Sequence, residues 1–179
     1  PSGWRGLLVE YLNHFELNLC LRVNALSRRA LVRRFFSVVS WLGNYPAWVL
    51  FGLLIAAQQG PQTLVFSVQA LATAFTGIAI YKFLKKRLVR ERPFVTHSDI
   101  VCGTPPLDRY SFPSGHTLHA VSLTVLYGAY EPAMLIIMVP FAALVAVSRV
   151  VLGLHYPSDV AVGGLIGALL AAVSLALSG

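Results

Sequence analysis

Between residues 35 and 81 the chain carries no Asp, Glu, Lys or Arg. As one helix that run would extend about 70 Å at about 1.5 Å per residue, against a hydrocarbon core of about 30 Å. It must therefore turn back. The turn falls at Gln58-Gln59-Gly60-Pro61-Gln62-Thr63, where Gly and Pro stop a helix and the amides are solvated, and this predicts spans near 35–58 and 63–88. Further apolar blocks at 114–130, 132–148 and 160–178 are separated by Glu131 and by the polar stretch 149–159. Composition agrees: the chain is 56% hydrophobic and 12% charged, where soluble domains carry about 25% charged residues. That balance excludes a soluble nucleic-acid binder. The expected fold is all-α, a polytopic transmembrane helical bundle of five spans forming a single domain over residues 1–179.

Residues 6–26 differ, because Glu10, Asn13, His14, Glu16, Asn18, Arg22 and Asn24 interrupt any spanning apolar run. Leu8, Leu12, Phe15, Leu19, Val23 and Leu26 recur at steps of three or four. One narrow apolar stripe on a polar helix predicts an amphipathic helix lying in the membrane interface, with a sixth span as the alternative. The N-terminus lacks the pattern of a secretory leader, so the first spans are expected to direct insertion. Cys20 and Cys102 lack metal-ligand spacing and read as structural. Gly163, Gly164, Gly167, Ala168, Ala171 and Ala172 on the last span predict close helix packing.

Following the spans back and forth places residues 28–34, 82–110 and 149–159 on one side of the membrane. The loops of the other side contain no Lys or Arg. The formal charge of +7 thus belongs almost wholly to one face, and three clusters stand out on it. The first is Lys85 with Arg92-Pro93, a spacing of about two helical turns that predicts both cations on one face at the end of the second span, with Pro93 ending that helix. Lys86, Arg87 and Arg90 read as snorkelling or topology-setting charges. The second is Pro113-Ser114-Gly115-His116, opening the third span. Unpaired N–H groups and a positive dipole end at a helix start suit an anion on the Ser114 and Gly115 amides, with His116 as proton donor. The third is Ser148-Arg149, then His155 and Asp159 about one turn apart around Pro157. A carboxylate near an imidazole holds its tautomer and leaves the other nitrogen free as base or nucleophile.

Singly, each cluster has a structural explanation as a helix start, a first-turn acid or an interfacial histidine. Together, three cations, two helix-start amides, two histidines and one aspartate make a phosphoryl-transfer set. Cations and amides neutralise the equatorial oxygens, one histidine attacks phosphorus, and the second protonates the leaving oxygen. Spacing alone leaves open which histidine attacks. No carboxylate cluster remains to hold Mg²⁺; Lys85, Arg92 and Arg149 already supply the positive charge.

These residues resemble the signature of the type 2 phosphatidic-acid phosphatase superfamily, which also includes vanadium haloperoxidases. The blocks Lys-x6-Arg-Pro, Pro-Ser-Gly-His and Ser-Arg-x5-His-x3-Asp occur in order at residues 85–93, 113–116 and 148–159. The resemblance implies that His155 is the phosphoryl-accepting nucleophile, that Asp159 orients it and that His116 is the general acid. It further implies that Lys85, Arg92, Ser114, Gly115 and Arg149 bind the phosphate, supported by Pro93, Pro113 and Ser148, with no metal or cofactor required. The implied location is the bacterial cytoplasmic membrane. Bacterial members place the site on the outer face, whereas the Lys/Arg bias reads as cytoplasmic; attraction of anionic headgroups explains some of these charges equally well.

The expected activity is hydrolysis of a lipid phosphate or diphosphate, with the tail held between helices. Undecaprenyl diphosphate ranks first, because the chain has no sizeable headgroup-recognition domain, ahead of phosphatidylglycerophosphate or phosphatidate. The alternatives are a lipid phosphotransferase passing the group to another lipid and, outside enzymes, an inactive lipid-binding scaffold. The 94–112 segment, with Asp99, Asp108 and Arg109, is the candidate for setting headgroup choice. Expected partners are the substrate and membrane lipids, with no nucleic acid; the sequence assigns no oligomeric state.

Overall fold

The computed structural model describes residues 4–178, with side chains from His14 onward. The described residues form helices joined by turns and loops, with no strand among them. In chain order the helices are α1 (Trp4–Asn24), α2 (Ala30–Leu42), α3 (Pro46–Ala56), α4 (Thr63–Leu88), the short α5 (Pro93–Thr96), α6 (Gly115–Tyr130), α7 (Leu135–Val151) and α8 (Pro157–Ser178).

Three segments among the described residues are long and apolar enough to cross a membrane: Gly60–Thr96, Pro132–Val151 and Pro157–Ser178. Large apolar side chains stay exposed along these helices, among them Leu64, Phe75, Ile136 and Leu165. A surface of this kind is stable against lipid rather than water, and the chain is an integral membrane protein. The first expected span is not one helix. It divides into α2 and α3, bent by 48°, and begins at Ala30 rather than near residue 35. Pro46 occupies the first turn of α3, where its missing N–H costs nothing but cannot continue α2. The Gly43 carbonyl freed by the break accepts from Trp48 Nε1 at 2.9 Å.

α6 occupies the middle of the bundle, against α4, α7 and most closely α8. Its 16 residues give about 24 Å of helix. The close approach depends on α8 glycines: a Cβ on Gly163 would sit 2.5 Å from the Ser114 carbonyl oxygen, and one on Gly167 would strike the Leu118 carbonyl. Of the six small residues in the expected packing stripe, Gly163, Gly167 and Ala171 are the buried ones. Gly164 has room for a Cβ, and Ala172 is exposed.

On α1 the outward side carries Phe15 and Leu19 from the apolar stripe, with Leu26 exposed just beyond the helix; the Leu8 and Leu12 side chains lie outside the described residues. Of the polar residues that interrupt the stripe, Asn24 is buried and Glu16 half-buried, whereas His14, Asn18 and Arg22 are exposed. Asn24 Nδ2 donates to the Val101 and Val151 carbonyls at 2.9 Å each, and its Oδ1 accepts from Val101 N–H. This tie fastens α1 to the end of α7 beside the polar clusters.

Candidate active site

α4 ends at Leu88, earlier than the position of Pro93 suggested, because Val89 adopts the left-handed conformation with φ 39°. A β-branched residue is strained there. The chain is thereby redirected, and Arg92 lies in extended backbone beyond the helix. Lys85 and Arg92 therefore do not share a helix face as expected; they converge through the reversal. Pro93 opens α5 rather than ending α4.

Both cations meet Asp108. Its Oδ1 lies 2.7 Å from Lys85 Nζ and 2.7 Å from Arg92 Nη2, and Lys85 Nζ also donates to the Tyr110 carbonyl. Arg92 Nη1 donates to the Leu154 carbonyl at 2.8 Å and approaches His155 Nε2 at 3.4 Å. Arg149, at the end of α7, is buried; its Nη1 donates to Ser40 Oγ, while its Nε has no partner. The turn after α7 returns on itself through Gly153 at φ 72°. There a Cβ would meet the Val101 carbonyl at 2.7 Å, and the turn brings His155 back over Arg149. One cavity is lined by Lys85, Arg92, Gly115, His116, Arg149 and His155, together with Asp108 and Tyr81. The three motif blocks, distant in sequence, thus form one anion-sized cradle with both histidines at its wall.

Ser114 departs from the expectation. Its N–H donates to the Asp159 backbone carbonyl at 3.0 Å, and its Oγ accepts from Thr117 N–H as the α6 N-cap. That amide is already used, and the helix-start residues that line the cavity are Gly115 and His116. Ser148 Oγ donates to the Val145 carbonyl, a structural bond away from the cradle.

Asp159 and His155 are buried, with Oδ2 3.7 Å from His155 Nδ1, beyond hydrogen-bond length. Asp159 Oδ2 accepts from Tyr156 N–H at 2.8 Å. Its Oδ1 pairs with Arg90 Nη1 at 2.7 Å. Arg90 is therefore not the free topology-setting charge expected from the sequence, whereas Lys86 and Arg87 are exposed. Sequence reasoning also missed the inward face of Asp108; its position five residues before Pro113 in a loop gave no periodic signal. Arg109 points away and pairs with Glu91 on the exposed surface. Burial, and after it the Arg149, Arg92 and Lys85 cations, hold His155 well below its ordinary 6.5. The neutral form of the ring is thereby favoured, with Nε2 toward the cations and Nδ1 toward the carboxylate.

A second cavity adjoins the first between α3, α4 and α6. It is lined by apolar side chains including Trp48, Val49, Leu71, Phe75, Ile78 and Leu123, and shares Asn44, Tyr45, Ile78 and His119 with the charged cavity.

Comparison with known proteins agrees with this architecture. The decaprenylphosphoryl-5-phosphoribose phosphatase of Mycobacterium tuberculosis is 38% identical over 57% of this chain and 55% of its own length. Lipid A 1-phosphatase of Rhizobium etli is 25% identical over 91% of this chain and 80% of its own. The chain spans about half the length of the first of these relatives. Among solved structures, a PAP2-type phosphatidylglycerolphosphate phosphatase of Bacillus subtilis superposes with a TM-score of 0.75 at 22% identity, covering 93% of this chain and 86% of that one. LpxE of Aquifex aeolicus gives a TM-score of 0.70 at 24% identity, over 89% and 94%. These two likenesses concern the fold. The family model of the PAP2 superfamily matches residues 65–179, a stretch holding all three motif blocks, and the chain belongs to the PAP2 superfamily.

Proposed function

We propose that this protein is a membrane lipid phosphatase working through a phosphohistidine on His155. The observation that carries the reading is the orientation of a buried imidazole whose Nε2 faces the Arg92 guanidinium in the cavity that also holds Lys85, Arg149 and His116. Nε2 attacks phosphorus; an N–P bond forms as the bond from phosphorus to the leaving oxygen breaks, and His116 gives that oxygen its proton. Water then attacks the phosphohistidine with His116 taking its proton, releasing phosphate and restoring His155. Lys85, Arg92, Arg149 and the Gly115 and His116 amides stabilise the oxygens throughout. No step calls on a metal.

The adjoining apolar cavity supports a lipid substrate, since a tail there leaves the headgroup at the cradle. Five spans follow if α2 with α3 makes one bent crossing and α6 is counted with α4, α7 and α8; α1 then lies in the interface with its apolar side toward lipid. Within lipid phosphates the polyprenyl-anchored ones come first: the undecaprenyl diphosphate expected from the sequence, and a polyprenyl sugar phosphate of the kind the mycobacterial relative is named for. The test is phosphate release in liposomes, with chelator present, from these two, phosphatidylglycerophosphate, phosphatidate and a lipid A phosphate. Release from a polyprenyl substrate at the highest kcat/KM supports the reading. No release from any of them, or loss of release on chelation, overturns it.

Asp108, paired with Lys85 and Arg92, competes with an incoming phosphate for them. Asp108→Asn keeps the shape and removes the charge. Charge-assisted bonds contribute about 1.5–3 kcal/mol, less where partly exposed, so the inhibition constant for inorganic phosphate is expected to fall about tenfold. An unchanged or higher constant means that the carboxylate orders the cradle instead.

The depressed His155 sets the pH dependence. Because its folded-state value lies below the unfolded 6.5, the unfolded chain binds the extra proton first, and stability is lost as pH falls through that range. The nucleophile stays neutral there, so the acid limb of kcat/KM is expected below pH 6.5. A pH–rate profile measures it, and a limb at or above 6.5 contradicts a neutral buried His155.

A further inference from the structure

We infer that Arg90, held from the far side by Glu16 of α1, is a positioning residue for the Asp159–His155 pair, and that α1 is thereby part of the site. This inference rests on the phosphohistidine reading. Asp159 is fully buried, and a carboxylate there needs a cation and fixed donors to remain ionised. Lys85, Arg92 and Arg149 line the cradle; Arg90 does not line it. Instead Arg90 Nη1 bonds Asp159 Oδ1 at 2.7 Å and Ser158 Oγ at 2.7 Å. Its guanidinium lies 4.0 Å from the ring centre of Tyr156, a stacking that restrains its plane.

The other end of the guanidinium is fixed by α1. Glu16 Oε2 accepts from Arg90 Nη2 at 2.9 Å, and Glu16 Oε1 accepts from the Ser158 backbone N–H at 2.7 Å. One glutamate thus grips both the arginine and the first turn of α8, the turn that carries Asp159. With Oδ1 held by Arg90 and Oδ2 by the Tyr156 amide, the carboxylate cannot rotate, and Oδ2 stays turned toward His155 Nδ1. Left-handed Val89 sits immediately before Arg90, so the backbone strain at the end of α4 lies where the chain swings this arginine under Asp159. Lys86 and Arg87, one turn earlier, are exposed and make no ion pair among the described residues.

The test compares Arg90→Gln, Arg90→Lys and Glu16→Gln in liposomes with the best substrate of the panel. A misplacement of about 1 Å in a catalytic group costs up to about 10²-fold. Arg90→Gln is therefore expected to lower kcat between about ten- and a hundredfold with KM changed less than about threefold, since the residue does not touch the phosphate. Arg90→Lys, which keeps the charge but not the fork, is expected to recover part of that loss. Glu16→Gln is expected to lower kcat less, and adding it to Arg90→Gln to cost less than the product of the two, because both act through one contact. Wild-type kcat in Arg90→Gln, a KM rise accounting for the whole loss, or Arg90→Lys no better than Arg90→Gln overturns the positioning role and leaves the phosphatase reading intact. If Arg90→Gln does not fold, multiplicative losses for Glu16→Gln with Arg90→Lys overturn it. A wild type that releases phosphate from no lipid overturns the phosphatase reading, and this inference with it.

Discussion

His155→Ala is expected to lower phosphate release by about four orders of magnitude or more, the scale seen when a nucleophile is removed from a preformed site. The loss should appear in kcat with lipid binding retained. Lys85, Arg92 and Arg149 keep their charge in the variant, and Asp108 still faces the first two from across the cavity. Alanine brings no titratable group to this buried position, so the variant gains no uncompensated charge there. Two measurements check the result: phosphate release with chelator present, and retention of a phospholipid by the variant in a binding assay. Turnover within tenfold of wild type would place the nucleophile elsewhere, with His116 the first alternative in the cradle.

The second large effect is on folding. Gly163→Val is expected to destabilise the protein by at least about 3 kcal/mol, seen as a lowered Tm in detergent and a collapse in folded yield. A side chain there meets the Ser114 carbonyl, a backbone atom in the first turn of α6, so nothing flexible can yield. The same residue also ties the two helices together, since Ser114 N–H donates to the Asp159 carbonyl. Pushing α8 from α6 thus separates His155 and Asp159 from the helix start that carries His116. Gly164→Ala, one residue along and in ordinary contact distance, is the matched control and should change stability by less than about 1 kcal/mol. Equal losses in both would mean that the α6–α8 contact is not the constraint.

The three motif blocks were legible because each joins chemically specific residues at short fixed spacing, and residues of all three line one cavity. The helical class followed from long uncharged runs. Other features depend on information that a linear pattern lacks. Lys85 and Arg92 looked like two turns of one helix; Val89 ends that helix without glycine, so no punctuation marks the stop. Pro46 does mark the break in the first span, but it sits inside an apolar run whose hydropathy outweighs it. Arg90 stood among four neighbouring cations, and only the fold shows that it faces two carboxylates from residues 16 and 159, far off in sequence. Ser114 was assigned an open amide by its helix-start position, whereas α8 had already claimed that donor.

The break between α2 and α3 has a consequence for how a lipid is measured. Asn44 and Tyr45, at the bend, border both the charged cavity and the apolar one, facing Ile78 and His119 that do the same from α4 and α6, so the change from polar to oily surroundings falls at the kink. A lipid phosphate bound as proposed, head in the charged cavity and tail in the apolar one, has the joint between the two at this bend. On the proposed lipid phosphatase reading, the kinked helix is the landmark against which that joint is placed.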